Sequence, residues 1–184
     1  MILNYSHKIV PLFSLFLFRK CEMLNAVEVV EAVGLLKIKA VDESNFMAVV
    51  QLEMTPAQKE AKWLSDNVFS LAQCWLYREN NDSFPKAIYA DDEVVGFVLL
   101  EIEPEGESIL IWRIMIGQQF QGKGYGRAAV QAVIAEAAKE YPTRTVIADY
   151  VEGNQPMKQL LTNIGFKAVG YNEAHKEYIM HYKH

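Results

Sequence analysis

Cysteine is scarce: Cys21 and Cys74 are the only two, far apart and in no CxxC or Cys/His spacing. That excludes a disulfide framework and a zinc site and fits a reducing, cytosolic compartment. A basic excess is missing as well, because 18 Lys plus Arg stand against 23 Asp plus Glu, a formal charge of −5. Such a surface repels a phosphate backbone, so nucleic acid is not the expected partner. There is no Gly/Ser-rich or Pro-rich tract, no repeat and no linker, so the 184 residues, 51% of them hydrophobic, read as one domain with a sizeable core. Nor is there a long apolar run. Ile9 to Phe18 (IVPLFSLFLF) is ten residues interrupted by Pro11 and Ser14, against the roughly 20 that a spanning helix requires. Lys8 before it and Arg19-Lys20 after it give the outline of a signal peptide, but RKCEMLNAV offers no small-x-small cleavage site. Residues 1–34 are therefore expected to be an N-terminal extension that packs on the domain or a partner, or upstream sequence ahead of a true start such as Met23. Residues 35–184 form the domain, with no membrane span.

From Leu35 the pattern is regular. LKIKAV alternates apolar and charged residues, the period of a half-buried strand. Asp42 and Ser44 are N-cap candidates for a helix to about Leu52, and Thr55-Pro56-Ala57-Gln58 has the spacing of a capping box with Pro at the first helical position. A helical pair is thus expected over 44–79. KAIYA, VVGFVLLEI and SILIWRIMI follow, separated by turns at Asp91-Asp92-Glu93 and Pro104 to Gly106, as an antiparallel meander. Ala128, Ala129, Val133, Ile134 and Ala137 then repeat at helical spacing up to Pro142. TVIADY is a buried strand, Asn154 and Gly165 bracket another helix, and FKAVG and EYIMHY close the chain. The class is α/β (α+β): a mixed, mostly antiparallel sheet of about six or seven strands with about four helices.

The most informative stretch is Gly117-Gln118-Gln119-Phe120-Gln121-Gly122-Lys123-Gly124-Tyr125-Gly126-Arg127, between a strand and a helix start. Backbone N–H groups gathered there, together with the helix dipole, suit an anion. Gly117 to Lys123 matches GxxxxGK, but Gly124 stands where a nucleotide P-loop needs Ser or Thr for Mg²⁺, which argues against triphosphate hydrolysis. GxGxG is not the dinucleotide GxGxxG either.

Read as Gln-x-x-Gly-x-Gly, residues 121–126 resemble the acetyl-CoA pyrophosphate motif of the GNAT N-acetyltransferase superfamily. WRIMI before it resembles that family's central strand, GNQPMKQLLTNIGF its later Asn…Gly-Phe motif, and the element order from about Leu35 to His184 is similar. The wording WRIMI…QFQGKGYGRAA, with SLAQ and VVGFVLL, is most similar to bacterial spermidine/spermine and diamine N-acetyltransferases. The resemblance implies that Gln121, Gly122, Lys123, Gly124, Tyr125, Gly126 and Arg127 cradle the pyrophosphate. It implies that backbone groups of Ile114, Met115 and Ile116 bind the pantetheine arm between splayed fourth and fifth strands, and that Asn154 hydrogen-bonds the same arm. Lys123 and Arg127 are otherwise solvated cations, and Asn154 a plain helix cap. No metal is implied, and a homodimer is allowed.

The chemistry implied is direct attack of a primary amine on the thioester. An amine of pKa about 10.4 must lose a proton first, so a base is needed. Glu101, Glu103 and Asp149 are the candidates, Glu101 foremost. The resemblance puts the usual general-acid Tyr at Leu161, which donates nothing, so Tyr150 or solvent must protonate the leaving thiolate. Glu53, Trp75 and Trp112 are the expected acceptor contacts, by charge and cation–π attraction to a polyamine; Arg113, inside an apolar strand, must be paired or face a cleft. His175 and His181 are isolated. Other amines (an aminoglycoside, an amino acid, a protein N-terminus) remain open, as does a non-catalytic acetyl-CoA-binding protein.

Overall fold

The structure, a computed structural model, describes residues 27–31 and 34–183; the apolar stretch Ile9 to Phe18 lies outside them. Among the described residues eight strands form one sheet in the order β1-β2-β3-β4-β5-β6-β8-β7. They are β1 (Val27–Glu31), β2 (Gly34–Ala40), β3 (Ser83–Ala90), β4 (Glu93–Glu101), β5 (Ser108–Ile116), β6 (Thr145–Val151), β7 (Lys167–Asn172) and β8 (Glu177–Tyr182). Every neighbouring pair is antiparallel except β5 with β6. Among the described residues five helices accompany them: α1 (Phe46–Gln51), α2 (Pro56–Ala61), α3 (Asn67–Leu76), α4 (Tyr125–Glu140) and α5 (Gln155–Ile164).

The mixed α/β class and the meander agree with the sequence reading, and two counts differ. β1 is the additional strand; it lies in the segment read as an extension, and its five residues are too short a stretch for alternation to stand out. The helical region over 44–79 holds three helices rather than two. α2 ends on Lys62 in the left-handed region (φ 52°), and the Asp66 carboxylate then caps α3 by accepting the Phe69 N–H at 2.7 Å. Asp42 and Ser44 do not cap α1; Asp42 instead accepts the Ser44 N–H and hydroxyl in a local turn, and Asn45 precedes the helix. At α2 the capping box forms as expected, with Thr55 and Gln58 bonded reciprocally.

The two faces of the sheet carry separate cores. On one, α4 buries Ala128, Ala129, Val133 and Ala137 against Ile38, Val98, Ile109, Ile111, Val146 and Ala148, with Leu161 of α5 and Phe166 completing the layer. On the other, Val49, Leu52 and Met54 pack on Ala87, Phe97, Leu99 and Met115, flanked by Leu71 and Cys74 of α3. The alternation of β4 and β5 divides them: Phe97 and Leu99 face α1 to α3, whereas Val98 and Leu100 face α4.

Candidate active site

The parallel pairing of β5 and β6 runs from Ser108↔Thr145 to Ile111↔Ala148 and stops there, although both strands continue. Beyond it β5 stays with β4 as far as Ile116, and β6 stays with β8 as far as Val151. A gap between two paired edges results. It begins at an irregularity, where Leu99 pairs Arg113 but Leu100 pairs Ile111, so that Trp112 is an extra residue on β5. A bulge bends its strand and increases local twist, which accounts for the parting at this position.

Which β5 groups face the gap follows from the ladder. Gly117 donates its N–H to the Val95 carbonyl at 2.9 Å. In the same register Met115 and Phe97 form a hydrogen-bonded pair, and Ile114 and Ile116 turn their backbone groups away from β4. Ile114 and Ile116 therefore present polar backbone to the gap. Met115 does not: its backbone serves β4 and its side chain sits in the core with Val49 of α1, Leu52 and Met54.

At the end of β5 the chain makes a 3-10 turn at Gln118–Phe120 and enters α4. Gly122 (φ 78°) and Gly124 (φ 86°) hold left-handed conformations that other residues adopt only with strain. The Ala128 N–H is the first to find a helical partner, the Gly124 carbonyl at 3.1 Å. Among the described residues, the N–H groups of residues 122–127 have no backbone partner, a run of donors at the positive end of a 16-residue helix. Gln121 differs from expectation. Its N–H bonds the Gln118 carbonyl, and its side-chain Nε2 reaches Gln58 Oε1 at 3.1 Å and the Ile116 carbonyl at 2.9 Å. It pins the turn to α2 and β5 instead of offering donors. Lys123 and Arg127 are exposed, and Gly126 lets Leu160 of α5 approach to 3.4 Å from where a Cβ would stand. Asn154 caps α5, accepting the Met157 N–H at 3.2 Å.

The α3-facing side of the gap is polar and incompletely satisfied. Four buried side-chain atoms among the described residues have no hydrogen-bond partner, and three lie on the elements around the gap: Gln73 Oε1 on α3, Arg113 Nη1 on β5 and Asp149 Oδ1 on β6. Such atoms are rare in a folded protein and mark either strain or a place for a missing partner. Arg113 stacks on the Trp112 ring at 4.6 Å and lies 5.8 Å from the Phe69 ring. Burial lowers its pKa, while Cys74 and Glu177 oppose the shift. The Asp149 carboxyl is pushed above the usual carboxylate range by burial and then by Glu177, against the Met180 backbone N–H and His181.

Glu101, expected as base, ends β4 opposite Leu110, with β5 between it and the gap. Its carboxyl is also pushed up, by burial and by Asp82 and Glu103. Tyr150 lies on the α5 side of β6, 6% exposed, stacked on Tyr178 at 5.1 Å; burial and Tyr178 raise its phenol above the ordinary range. The three expected acceptor contacts are dispersed in role. Glu53 is exposed, pairs with Lys59 at 3.0 Å and gives its carbonyl to the Gln118 N–H, beside the glycine turn. Trp75 is 67% exposed and holds Arg78 over its ring at 4.4 Å. Trp112 is partly buried under α3. Arg113 and Gln73 carried too little sequence signal to be joined to the site, although an arginine inside ILIWRIMI was the one hint.

A parted parallel pair beside a glycine-rich helix start is the architecture of acyl-CoA-dependent acetyltransferases. The family model described as the acetyltransferase (GNAT) domain matches residues 30–167, and the chain belongs to that family. It is an N-acyltransferase dependent on acetyl-CoA. A spermine/spermidine N(1)-acetyltransferase of Bacillus subtilis is 25% identical over 154 residues, covering 79% of this chain and 96% of the relative. Among solved structures, RimJ of Mycobacterium smegmatis in complex with a CoA disulfide superposes with a TM-score of 0.71 at 14% identity, covering 85% of this chain and 86% of the other. An acetyltransferase of Salmonella typhimurium that modifies the N-terminal serine of ribosomal protein L7/L12 gives 0.62 at 20% identity, over 79% and 92%. At those identities the structures speak for the fold.

Proposed function

We propose that the protein transfers the acetyl group of acetyl-CoA to a primary amine bound on the α3 side of the gap. The observation that carries this is the gap itself, where the backbone of Ile114 and the N–H of Ile116 face away from β4 and lead into N–H groups at residues 122–127 that have no backbone partner. A peptide-like pantetheine arm can add to the β5 edge as a strand would. The pyrophosphate then meets the N–H groups of Gly122 to Arg127, with Lys123 and Arg127 adding charge and Asn154 near the arm at the start of α5. An N–H on the gap edge stabilises the oxyanion that forms as the amine attacks. No metal enters this scheme. Tyr150 is the proton donor to the departing thiolate, and Glu101 is a carboxylate reached through solvent.

For the acceptor, a polyamine is the first reading. It rests on the Bacillus relative's name and on the carboxylates Glu101, Asp149 and Glu177 near the α3 side, which suit a cation. Glu53, Trp75 and Trp112 would then be its outer contacts. The amino terminus of a polypeptide is the second reading. It is favoured by Arg113, whose buried, unpartnered Nη1 matches a carbonyl or carboxylate oxygen that a polyamine lacks. We place the protein in the cytoplasm and the domain at residues 35–184 with β1 added. The test is release of CoA thiol from acetyl-CoA in the presence of spermidine, spermine, diamines, an aminoglycoside and N-terminal peptides. Turnover with at least one is expected; tight acetyl-CoA binding with no turnover on any of them would favour a binding protein.

A further inference from the structure

We propose that Asp149 is the catalytic base that takes the proton from the attacking amine. The inference rests on the acetyl-transfer reading above and concerns a residue that the fold, rather than a motif, brings to the reaction.

Position is the first argument. The last β5–β6 pair is Ile111↔Ala148, so Asp149 is the first β6 residue past the parting and stands at the level of the Trp112 bulge. Ala148 and Tyr150 belong to the core under α4 and α5. Alternation therefore puts Asp149 on the opposite face, the side of Arg113, Phe69 and α3. It lines the β6 side of the same gap whose β5 side offers the Ile114 and Ile116 backbone. Glu101 is one strand removed, behind β5.

The second argument is an empty valence. The Met180 backbone N–H hydrogen-bonds the Asp149 carboxyl, while Oδ1 is buried with no partner. A carboxylate oxygen so placed accepts a proton or an N–H from whatever enters the gap. The charged groups acting on it are Glu177 and His181 of β8; across the gap, Arg113 of β5 interacts with Cys74 of α3 and with Glu177. Burial first and Glu177 second thus raise the carboxyl, which makes it a stronger proton acceptor than a solvated carboxylate.

The step balances. The ammonium proton passes to Asp149, the nitrogen forms a bond to the thioester carbon, the carbon–sulfur bond breaks, and the thiolate takes a proton from Tyr150 or water, a donor restored through solvent by the second proton that the nitrogen sheds on becoming an amide. Asp149 then returns its proton to solvent.

The experiment is the pH profile of kcat/KM in thiol release with acetyl-CoA, using spermidine and an N-terminal alanine peptide as probes. Wild type is expected to show an acidic limb and a plateau. Asp149→Asn should fall about a hundredfold at pH 7, keep its KM for acetyl-CoA, and replace the plateau by a steady rise toward the pKa of the amine. Asp149→Glu should recover part of the rate. Glu177→Gln should keep turnover but move the acidic limb to lower pH, because a negative neighbour is gone. Asp149→Asn should also fold as well as wild type at neutral pH, since an acid whose pKa is raised by folding loses stability as pH rises through that value. Retention of the wild-type rate and limb in Asp149→Asn would overturn the assignment while leaving acetyl transfer intact. Absence of turnover by wild type with both probes would overturn the two together.

Discussion

Tyr150 and Leu161 share one buried cluster, yet only one of them carries a proton. Leu161 has no ionisable proton, so that position supplies no acid to a leaving thiolate. Tyr150 has a hydroxyl, and its raised pKa keeps it protonated throughout the neutral range. Tyr150→Phe is expected to lower kcat by about tenfold or more, with solvent as the substitute donor, while the KM for acetyl-CoA stays unchanged. Steady-state kinetics with the two substrates varied separately checks this. A shifted acetyl-CoA KM with constant kcat would make Tyr150 a packing residue. At this scale the sequence was readable where a residue's role is local: Thr55, Gln58 and Asn154 cap the helices their spacing announced. It was silent on Gln73, whose place depends on a distant helix, it offered Asp149 only as one of three carboxylates, and it took Ile114, Met115 and Ile116 together where the ladder phase turns the backbone of Met115 toward β4.

Among the elements, the turn at residues 117–124 is held from outside itself. Gln121 ties it to the Ile116 carbonyl and to Gln58, which is also half of the α2 capping box. α2 has six residues and no buried side chain of its own, so this tether is one of the contacts that fixes the helix beside the turn. Gln121→Ala removes both bonds, each worth about 1 kcal/mol. The expected result is an acetyl-CoA KM raised several-fold with kcat conserved, and a thermal midpoint lowered by about 2–4 °C per kcal/mol for a chain of this size. Kinetics and thermal denaturation together decide it. The motif was legible from Gly122, Lys123 and Gly124, but the bracing was not, because Gln58 lies 63 positions from Gln121 in the chain.

Across the whole molecule, the two halves of the sheet, β1 to β5 and β6 to β8, meet at a single parallel contact, β5 with β6, and the gap opens where that contact ends. The fold class followed from the order of periodic segments; the edge strand β1 did not. Its pairing with β2 predicts different results from two shortened chains. A chain starting at Met23 keeps β1 and is expected to retain turnover and a cooperative melt. A chain starting at Leu35 exposes the long edge of β2 and should melt lower or aggregate. Equal melting of the two would show that β1 contributes no stability. The charge balance belongs to the same scale: residues 35–184 hold 15 Lys plus Arg and 20 Asp plus Glu, so the −5 of the whole chain lies in this domain. Under the proposed polyamine reading this balance suits a cationic acceptor, with the buried Arg113 Nη1 the opposing charge at the gap.

Acetyl-CoA binding at the glycine turn and the β5 edge is the central claim, and calorimetric titration of acetyl-CoA into wild type and Gly124→Asp tests it most directly. The substitution sets a carboxylate at the free N–H groups and strains a position at φ 86°. Wild type should bind, and the variant, shown folded by circular dichroism, should lose about a hundredfold or more in affinity, close to 3 kcal/mol. Equal affinity in the two proteins would contradict the account.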